Sequence, residues 1–218
     1  MRLFHPILSG AHAADRLFDC FGAGIGIALA AVIAAWSGLL PGDLPLLVAP
    51  LGASAVLVFA VPASPLAQPW PVIGGNTISA VVGVAVFHLV PGVAAAGSVA
   101  VAAAILIMSL LRCLHPPGGA SALTAVIGSS AVHAAGFGFA FLPVALNSVS
   151  LVLVGLLFHR FSRHSYPHRP AAVADAGLLL ADIDAALEDM HEDFDISRED
   201  LGALLSRAEL HAAERKGR

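Results

Sequence analysis

Phe21-Gly-Ala-Gly-Ile-Gly-Ile-Ala-Leu-Ala-Ala-Val-Ile-Ala-Ala-Trp-Ser-Gly-Leu-Leu40 is twenty residues without one charge. A helix that crosses a bilayer needs roughly 20 apolar residues, and this run has that length. The pattern continues outward from it. No Lys or Arg occurs from Leu17 to Leu111, and none between Cys113 and His159. Asp19 and Asp43 are the only acidic residues between Leu17 and Arg169. Charged residues make up 12% of the 218-residue chain, against roughly 25% in soluble domains. Such a stretch has no surface that water could solvate, so the sequence predicts an all-α membrane protein.

Six apolar segments follow one another: Phe21–Leu40, Leu46–Val61, Gly74–Val90, Ala94–Leu111, Gly118–Val132 and Phe139–Phe158. Pro, Gly and polar residues separate them. The second and fifth are short, and either span fully or are re-entrant. Arg2 and Arg16 precede the first segment, Arg112 ends the fourth, and Arg160, Arg163 and Arg169 follow the sixth. Six crossings with both termini cytoplasmic put all of them on the cytoplasmic side, as the positive-inside rule asks. Three regions are expected: an interfacial segment 1–17, a membrane domain 18–166, and a cytoplasmic helical tail 167–218. No signal peptide is expected at the beginning, where His5, Pro6, His12, Asp15 and Arg16 interrupt any apolar run.

The membrane region reads as a duplication. Gly52-Ala53-Ser54-Ala55 recurs as Gly119-Ala120-Ser121-Ala122 at an offset of 67, each copy two residues after a proline, Pro50 and Pro117. The only two asparagines, Asn76 and Asn147, stand 71 apart, as do Ser79 and Ser150, Phe87 and Phe158, and His88 and His159. Repeats of about 18–91 and 92–166 would each hold three segments. An odd number inverts the second copy, the plan of many secondary transporters with a midplane site between repeats.

The Pro-x-Gly-Ala-Ser-Ala copies open the second and fifth segments. A helix start offers unpaired N–H groups and about half a positive charge, so two facing starts could cradle an anion, with Ser54 and Ser121 as further donors. Tight packing of small residues is the competing reading. Arg112 and His115 flank the second copy. Arg112 is either on a substrate path or a topology anchor at a span's end. His115 either titrates or caps the broken backbone at Pro116-Pro117. Asn76 and Asn147 need polar partners in lipid. The expected substrate-contacting set is Pro50, Gly52, Ala53, Ser54, Asn76, Arg112, His115, Pro116, Pro117, Gly119, Ala120, Ser121 and Asn147. Gly22 and Gly26 suggest a close helix contact within or between subunits. His88 and His159 are expected at the interface. Cys20 and Cys113 imply neither a disulfide framework nor a zinc site. No enzyme pattern, cofactor motif or nucleic-acid signal is present.

Arg112-Cys-Leu-His-Pro-Pro-Gly-Gly-Ala-Ser-Ala-Leu123 resembles the signature of the HPP family of membrane proteins. So do Pro50-Leu-Gly-Ala-Ser-Ala-Val-Leu57 and Ser64-Pro-Leu-Ala-Gln-Pro69 with Val72-Ile-Gly-Gly75. The resemblance covers roughly Phe18 to Pro167. It implies a multi-pass bacterial inner-membrane protein, and a link to nitrite, which chloroplast and cyanobacterial relatives are associated with moving. Trp70-Pro71 stands where many relatives carry a basic residue, and Asn76 where many carry a histidine. Asp195-Ile-Ser-Arg-Glu-Asp-Leu201 resembles the joint that leads to paired nucleotide-sensing CBS domains in longer relatives; those domains are absent from these residues.

In the tail, Ala171–His191 carries Leu178, Leu179, Ile183, Leu187 and Met190 at helical spacing. Ser197 to Asp200 resembles a capping box with Asp in the Glu position. It leads into a second helix with Leu201, Leu204, Leu205 and Leu210. Two short amphipathic helices cannot bury both apolar faces alone; they are expected to dock on each other, on the membrane domain or on a second subunit, the alternative being a tail loose on the cytoplasmic surface, and a homodimer is expected. The leading function is a small-anion transporter or channel, nitrite first, with membrane lipid and the anion as partners. The alternative is a membrane scaffold or sensor that signals through its tail.

Overall fold

A computed structural model of the chain describes residues 13–40, 43–162, 164–169, 179–190 and 195–216. Residues 3–8, Arg2, Arg163 and Leu178 lie outside these. Among the described residues every regular element is helical: α1 Ala13–Trp36, α2 Pro50–Ala60, α3 Pro71–Leu89, α4 Val93–Leu110, α5 Pro116–Ile127, α6 Ser130–Ala135, α7 Ala140–Phe158, α8 Leu180–Met190 and α9 Arg198–Lys216. A single tight turn, Pro65–Ala67, sits between α2 and α3.

Four of these helices, α1, α3, α4 and α7, are long and apolar enough to cross a membrane. The second and fifth apolar segments give shorter helices. α5 has 12 residues, or about 18 Å at 1.5 Å per residue, against about 30 Å of hydrocarbon. Both are short for a backbone reason. Residues 43–49 stay non-helical before Pro50. Two of their backbone groups are taken by Asn147, whose Nδ2 donates to Leu46 O at 3.0 Å and whose Oδ1 accepts from Val48 N at 3.1 Å. α5 stops before Gly128-Ser129. There the imidazole Nε2–H of His133 donates to Val126 O at 3.1 Å, and the ring stacks on Phe87 at 4.0 Å. Non-helical backbone in an apolar setting is tolerated only when protein groups satisfy it, and these two side chains do so.

The long helices differ from the apolar runs mainly at their starts. α1 includes Asp15, Arg16 and Asp19, so the helix extends beyond the N-terminal side of the apolar run. α2, α3 and α7 each contain a wider π turn, over Val56–Ala60, Pro71–Gly75 and Ala140–Ala145. α3 and α4 join by a tight turn at Gly92, whose φ of +86° suits glycine.

Packing sorts the helices into two interlocked groups. α3 lies against α4 and α5, and α7 lies against α1 and α2. The third helix of each sequence half therefore packs on the first two helices of the other half. Lipid is as apolar as these side chains, so close packing rather than water exclusion holds such helices together. A Cβ on Gly83 would come within 2.3 Å of Ala122 O, so α3 and α5 touch backbone to backbone. Gly22 receives the ring of Phe158 and Gly26 the ring of Phe59, which makes the α1 glycine pair a contact within the subunit.

Several contacts bring helix ends together. Arg16 Nη1 donates to Ala60 O at 2.7 Å, Trp70 Nε1 to Leu111 O at 3.2 Å, and Phe18 stacks on Phe158 at 4.7 Å. The starts of α1 and α3 and the ends of α2, α4 and α7 thus meet at one end of the bundle. The tail joins that same end. α8 and α9 pack together, with Arg198 paired to Asp184. Ser197 Oγ caps α9 by accepting from Asp200 N at 3.1 Å. The Asp200 carboxylate does not close a full capping box; it meets the Ser197 hydroxyl and His168 instead.

Gly83→Val should destabilise the fold by about 1–3 kcal/mol, since the added atoms meet backbone rather than a movable side chain. Gly24→Ala, with nothing within 4 Å of its Cβ position, should change stability by less than about 0.5 kcal/mol. Thermal unfolding in detergent compares the two. Equal melting points would refute the backbone contact.

Candidate functional site

The two Gly-Ala-Ser-Ala copies meet at the seam between the helix groups, and their serines face inward there. Ser54 and Ser121 are fully buried, as are Asn76 and His115. Gly52, Ala53 and Ala120 are exposed and Gly119 is half-buried. Corresponding positions of the two copies therefore have nearly the same burial. The Pro-x-Gly turn fixes each helix start, and the serine comes one helical turn after its proline, on the inner face.

These four side chains form one hydrogen-bonded chain, and its direction follows from the donors available. His115 Nδ1 lies 2.9 Å from Leu66 O. A carbonyl only accepts, so Nδ1 carries a proton, and in the neutral ring Nε2 is an acceptor. Ser54 Oγ, 2.8 Å from Nε2, therefore donates to it. Asn76 Nδ2 donates to Ser54 Oγ at 3.0 Å and to Val72 O at 3.0 Å. Ser121 Oγ donates to Asn76 Oδ1 at 2.8 Å. The asparagine of one repeat thus links the serines of both. Around it the backbones are close: a Cβ on Gly75 would fall 2.6 Å from His115 Cβ, and one on Gly118 would fall 2.8 Å from Ser79 Oγ. That Ser79 hydroxyl is buried and has no hydrogen-bond partner.

The helix starts themselves are less open than the sequence suggests. Leu51 N donates to Val48 O, Gly52 N to Ala49 O and Gly118 N to His115 O. Pro50, Pro116 and Pro117 have no N–H. The first-turn amides that would cradle an anion are largely spent on local turns. What remains at the seam is neutral: two hydroxyls, one carboxamide and one imidazole.

The other expected residues lie elsewhere. Pro50 and Pro117 are buried at the helix starts and Pro116 is exposed. Arg112 is exposed beyond the end of α4, at φ +53°, and among the described residues its side chain has no ion pair. Asn147 serves Leu46 and Val48, away from the serines. His88 is exposed at a helix end as expected, whereas His159 is buried. Its Nε2 donates to Val58 O at 2.9 Å, and Nδ1 pairs with the Ser162 hydroxyl.

Sequence reasoning missed the loop at 62–70, which holds His115 from outside. Its Leu66 carbonyl takes the imidazole N–H. Its other groups are bound on the side away from the seam. Ser64 Oγ donates to the Asp195 carboxylate at 2.8 Å, Tyr166 Oη donates to Ala67 O at 3.0 Å, and His168 N donates to Gln68 Oε1 at 2.9 Å. Gln68 Nε2 in turn holds Pro62 O and Ser64 O. Burial pushes the Tyr166 phenol well above its usual range, so it stays a neutral donor. The signal available was Ser64-Pro65 and Gln68, polar residues in an apolar chain, but their partners are about a hundred residues away.

Asn76→Leu removes one partner from each of two buried serines, and should cost about 1–3 kcal/mol. Asp195→Ala should raise amide hydrogen exchange in 62–70 while leaving α4 unchanged. Exchange spread evenly over the chain would contradict a specific hold on the loop.

Comparison with known proteins agrees with the motifs. The family described as HPP, transmembrane region, matches residues 9–167. A transmembrane protein of Dictyostelium discoideum is 39% identical over 133 residues, 59% of this chain and 46% of that one. A second from the same organism is 41% identical over 120 residues, 53% of this chain and 38% of that one. The chain spans less than half the length of these relatives. No solved structure matches it.

Proposed function

The chain belongs to the HPP transmembrane family, and on that premise we propose that it moves a small anion, nitrite first, across a membrane along the seam between its two repeats. The observation that carries this reading is the buried chain Ser121–Asn76–Ser54–His115, which joins the equivalent serines of the two copies. Polar groups at membrane depth are costly, and those facing a bundle interior mark substrate paths by default. Inverted repeats of transporters put their site at such a junction.

In this reading the chain crosses six times. The non-helical residues 43–49 and α2 together make one crossing, broken in its outer half. The same reading makes α5 with α6 another. The contacts of Arg16 with Ala60 and of Trp70 with Leu111 support it, because they put the basic helix ends together. The positive-inside rule then assigns that end, and the tail, to the cytoplasm of a bacterial inner membrane. A homodimer in the membrane, through lipid-facing helix surfaces, belongs to the same proposal. The activity needs no cofactor and makes no covalent bond.

A second reading, a membrane sensor that signals through its tail, is favoured by the grip of Asp195 on the Ser64 loop. Stopped-flow uptake into proteoliposomes, with nitrite, nitrate, formate and chloride, separates the two. Transport predicts nitrite entry well above protein-free vesicles. Ser54→Ala and Ser121→Ala should each slow entry about tenfold, the rate equivalent of about 1.4 kcal/mol. Arg112→Ala should lower the rate less, since the guanidinium is exposed at the bundle's end. Folded protein that admits none of the four ions would leave the sensor reading.

A further inference from the structure

A monovalent anion that reaches the seam meets no compensating charge. α2, the Pro65–Ala67 turn, α3, α4 and α5 surround the His115 imidazole, and none contributes an Asp, Glu, Lys or Arg. Their only other titratable side chain is His88, exposed at the far end of α3. Cys113 precedes His115 on the same loop and is buried, and Arg112 before it is exposed. Tyr166, His168 and Asp195 stand on the far side of loop 62–70. The helix-start amides are already engaged. An unpaired charge in such surroundings is expensive, so the seam needs a positive charge that arrives with the anion.

The hydrogen bonds provide a place for one. Ser54 Oγ has two acceptors in reach, His115 Nε2 at 2.8 Å and its own helix's Pro50 O at 3.2 Å. A hydroxyl has one proton and can use one of them at a time. Ser121 is built alike, with Asn76 Oδ1 at 2.8 Å and Pro117 O at 3.4 Å. We propose that His115 and Ser54 form a proton-accepting switch, so that the anion travels together with one proton. This rests on the transport reading above.

The step balances without any other reactant. A proton entering with the anion binds His115 Nε2, and the imidazole becomes an imidazolium. The Ser54 hydroxyl hydrogen turns from Nε2 to the Pro50 carbonyl, and its oxygen accepts the new Nε2–H. His115 Nδ1–H stays on Leu66 O throughout. The imidazolium charge balances the anion. Loss of the proton and the anion on the other side returns the hydroxyl to Nε2. Neither the imidazole nor the Ser54 hydroxyl is left unpaired in either state, which is what a reversible switch in an apolar interior requires. The substrate class follows: monovalent anions moved electroneutrally with a proton, such as nitrite or formate.

The test uses full-length protein in vesicles that hold a pH-sensitive dye, with the membrane potential clamped by potassium and valinomycin. Nitrite is the probe, and protein-free vesicles supply the background. The wild type should acidify the interior as nitrite enters, at a rate unchanged when the potential is reversed. Entry should be faster from an outer pH of about 6 than of about 8, because each anion needs a proton to enter with it. His115→Gln can hydrogen-bond and cannot titrate, so it should lose the pH dependence. Ser54→Ala keeps the imidazole and removes the turning hydroxyl; it should slow acidification and nitrite entry together. Wild-type nitrite entry that follows the potential without proton entry overturns the switch while transport stands. If folded wild type admits no nitrite, the transport reading fails, and nitrogen-15 NMR of histidine-labelled protein decides the switch by itself. Protonation of His115 Nε2 on adding nitrite, with Nδ1–H retained, upholds it. A neutral imidazole from about pH 5 to about pH 8 with nitrite present overturns it.

Discussion

Backbone that leaves its helix in an apolar surrounding has to find hydrogen-bond partners within the protein, and both asparagines and three of the histidines in this bundle serve that requirement. Asn147 serves the stretch before α2, and His133 the carbonyl left at the end of α5. His159 takes a carbonyl in the π turn of α2, and Asn76 one in the π turn of α3. His115 takes one from the turn between them. Three of these pairings, those of Asn147, His159 and His115, join distant segments and fix how they lie against one another, whereas Asn76 and His133 serve backbone close to them in sequence.

The same pairings explain the exchange of third helices. Asn76 on α3 reaches α5, and Asn147 on α7 reaches the approach to α2, so each asparagine binds the second segment of the opposite half. Glycines at Gly75, Gly83 and Gly118 let α3 and α5 come close enough for the Asn76–Ser121 bond. The matching positions of the two sequence halves are not used evenly. Asn76 joins the two serines, whereas Asn147 holds only backbone, and His159 is buried where His88 is exposed. A single polar seam results instead of two.

Loop 62–70 gives that seam a second neighbour. Four of its carbonyls, at Pro62, Ser64, Leu66 and Ala67, accept from side chains. Leu66 faces His115, and Ala67 faces Tyr166 at the end of the membrane region. Asp195, leading into α9, holds Ser64 from the tail. The tail and the buried imidazole therefore share one short element. Its conformation sets which imidazole nitrogen bears the proton.

The sequence by itself determined the solvent and the segments. A chain almost without charge from Leu17 to Arg169 can satisfy neither water nor an ordinary soluble surface, and its motifs specify the family. It also singled out Ser54, Asn76, His115 and Ser121, because polar residues stand out in such a composition. The tertiary structure decided which of the polar residues meet. Asn76 and Asn147 are equivalent in sequence, and only packing sends one to the serines and the other to broken backbone. The lengths of α2 and α5 were equally hidden, because apolar residues suit a non-helical stretch and a helix alike once a side chain takes the backbone's hydrogen bonds. Hydropathy does not show that Asn147 serves backbone about a hundred residues away, or that His133 turns back onto Val126.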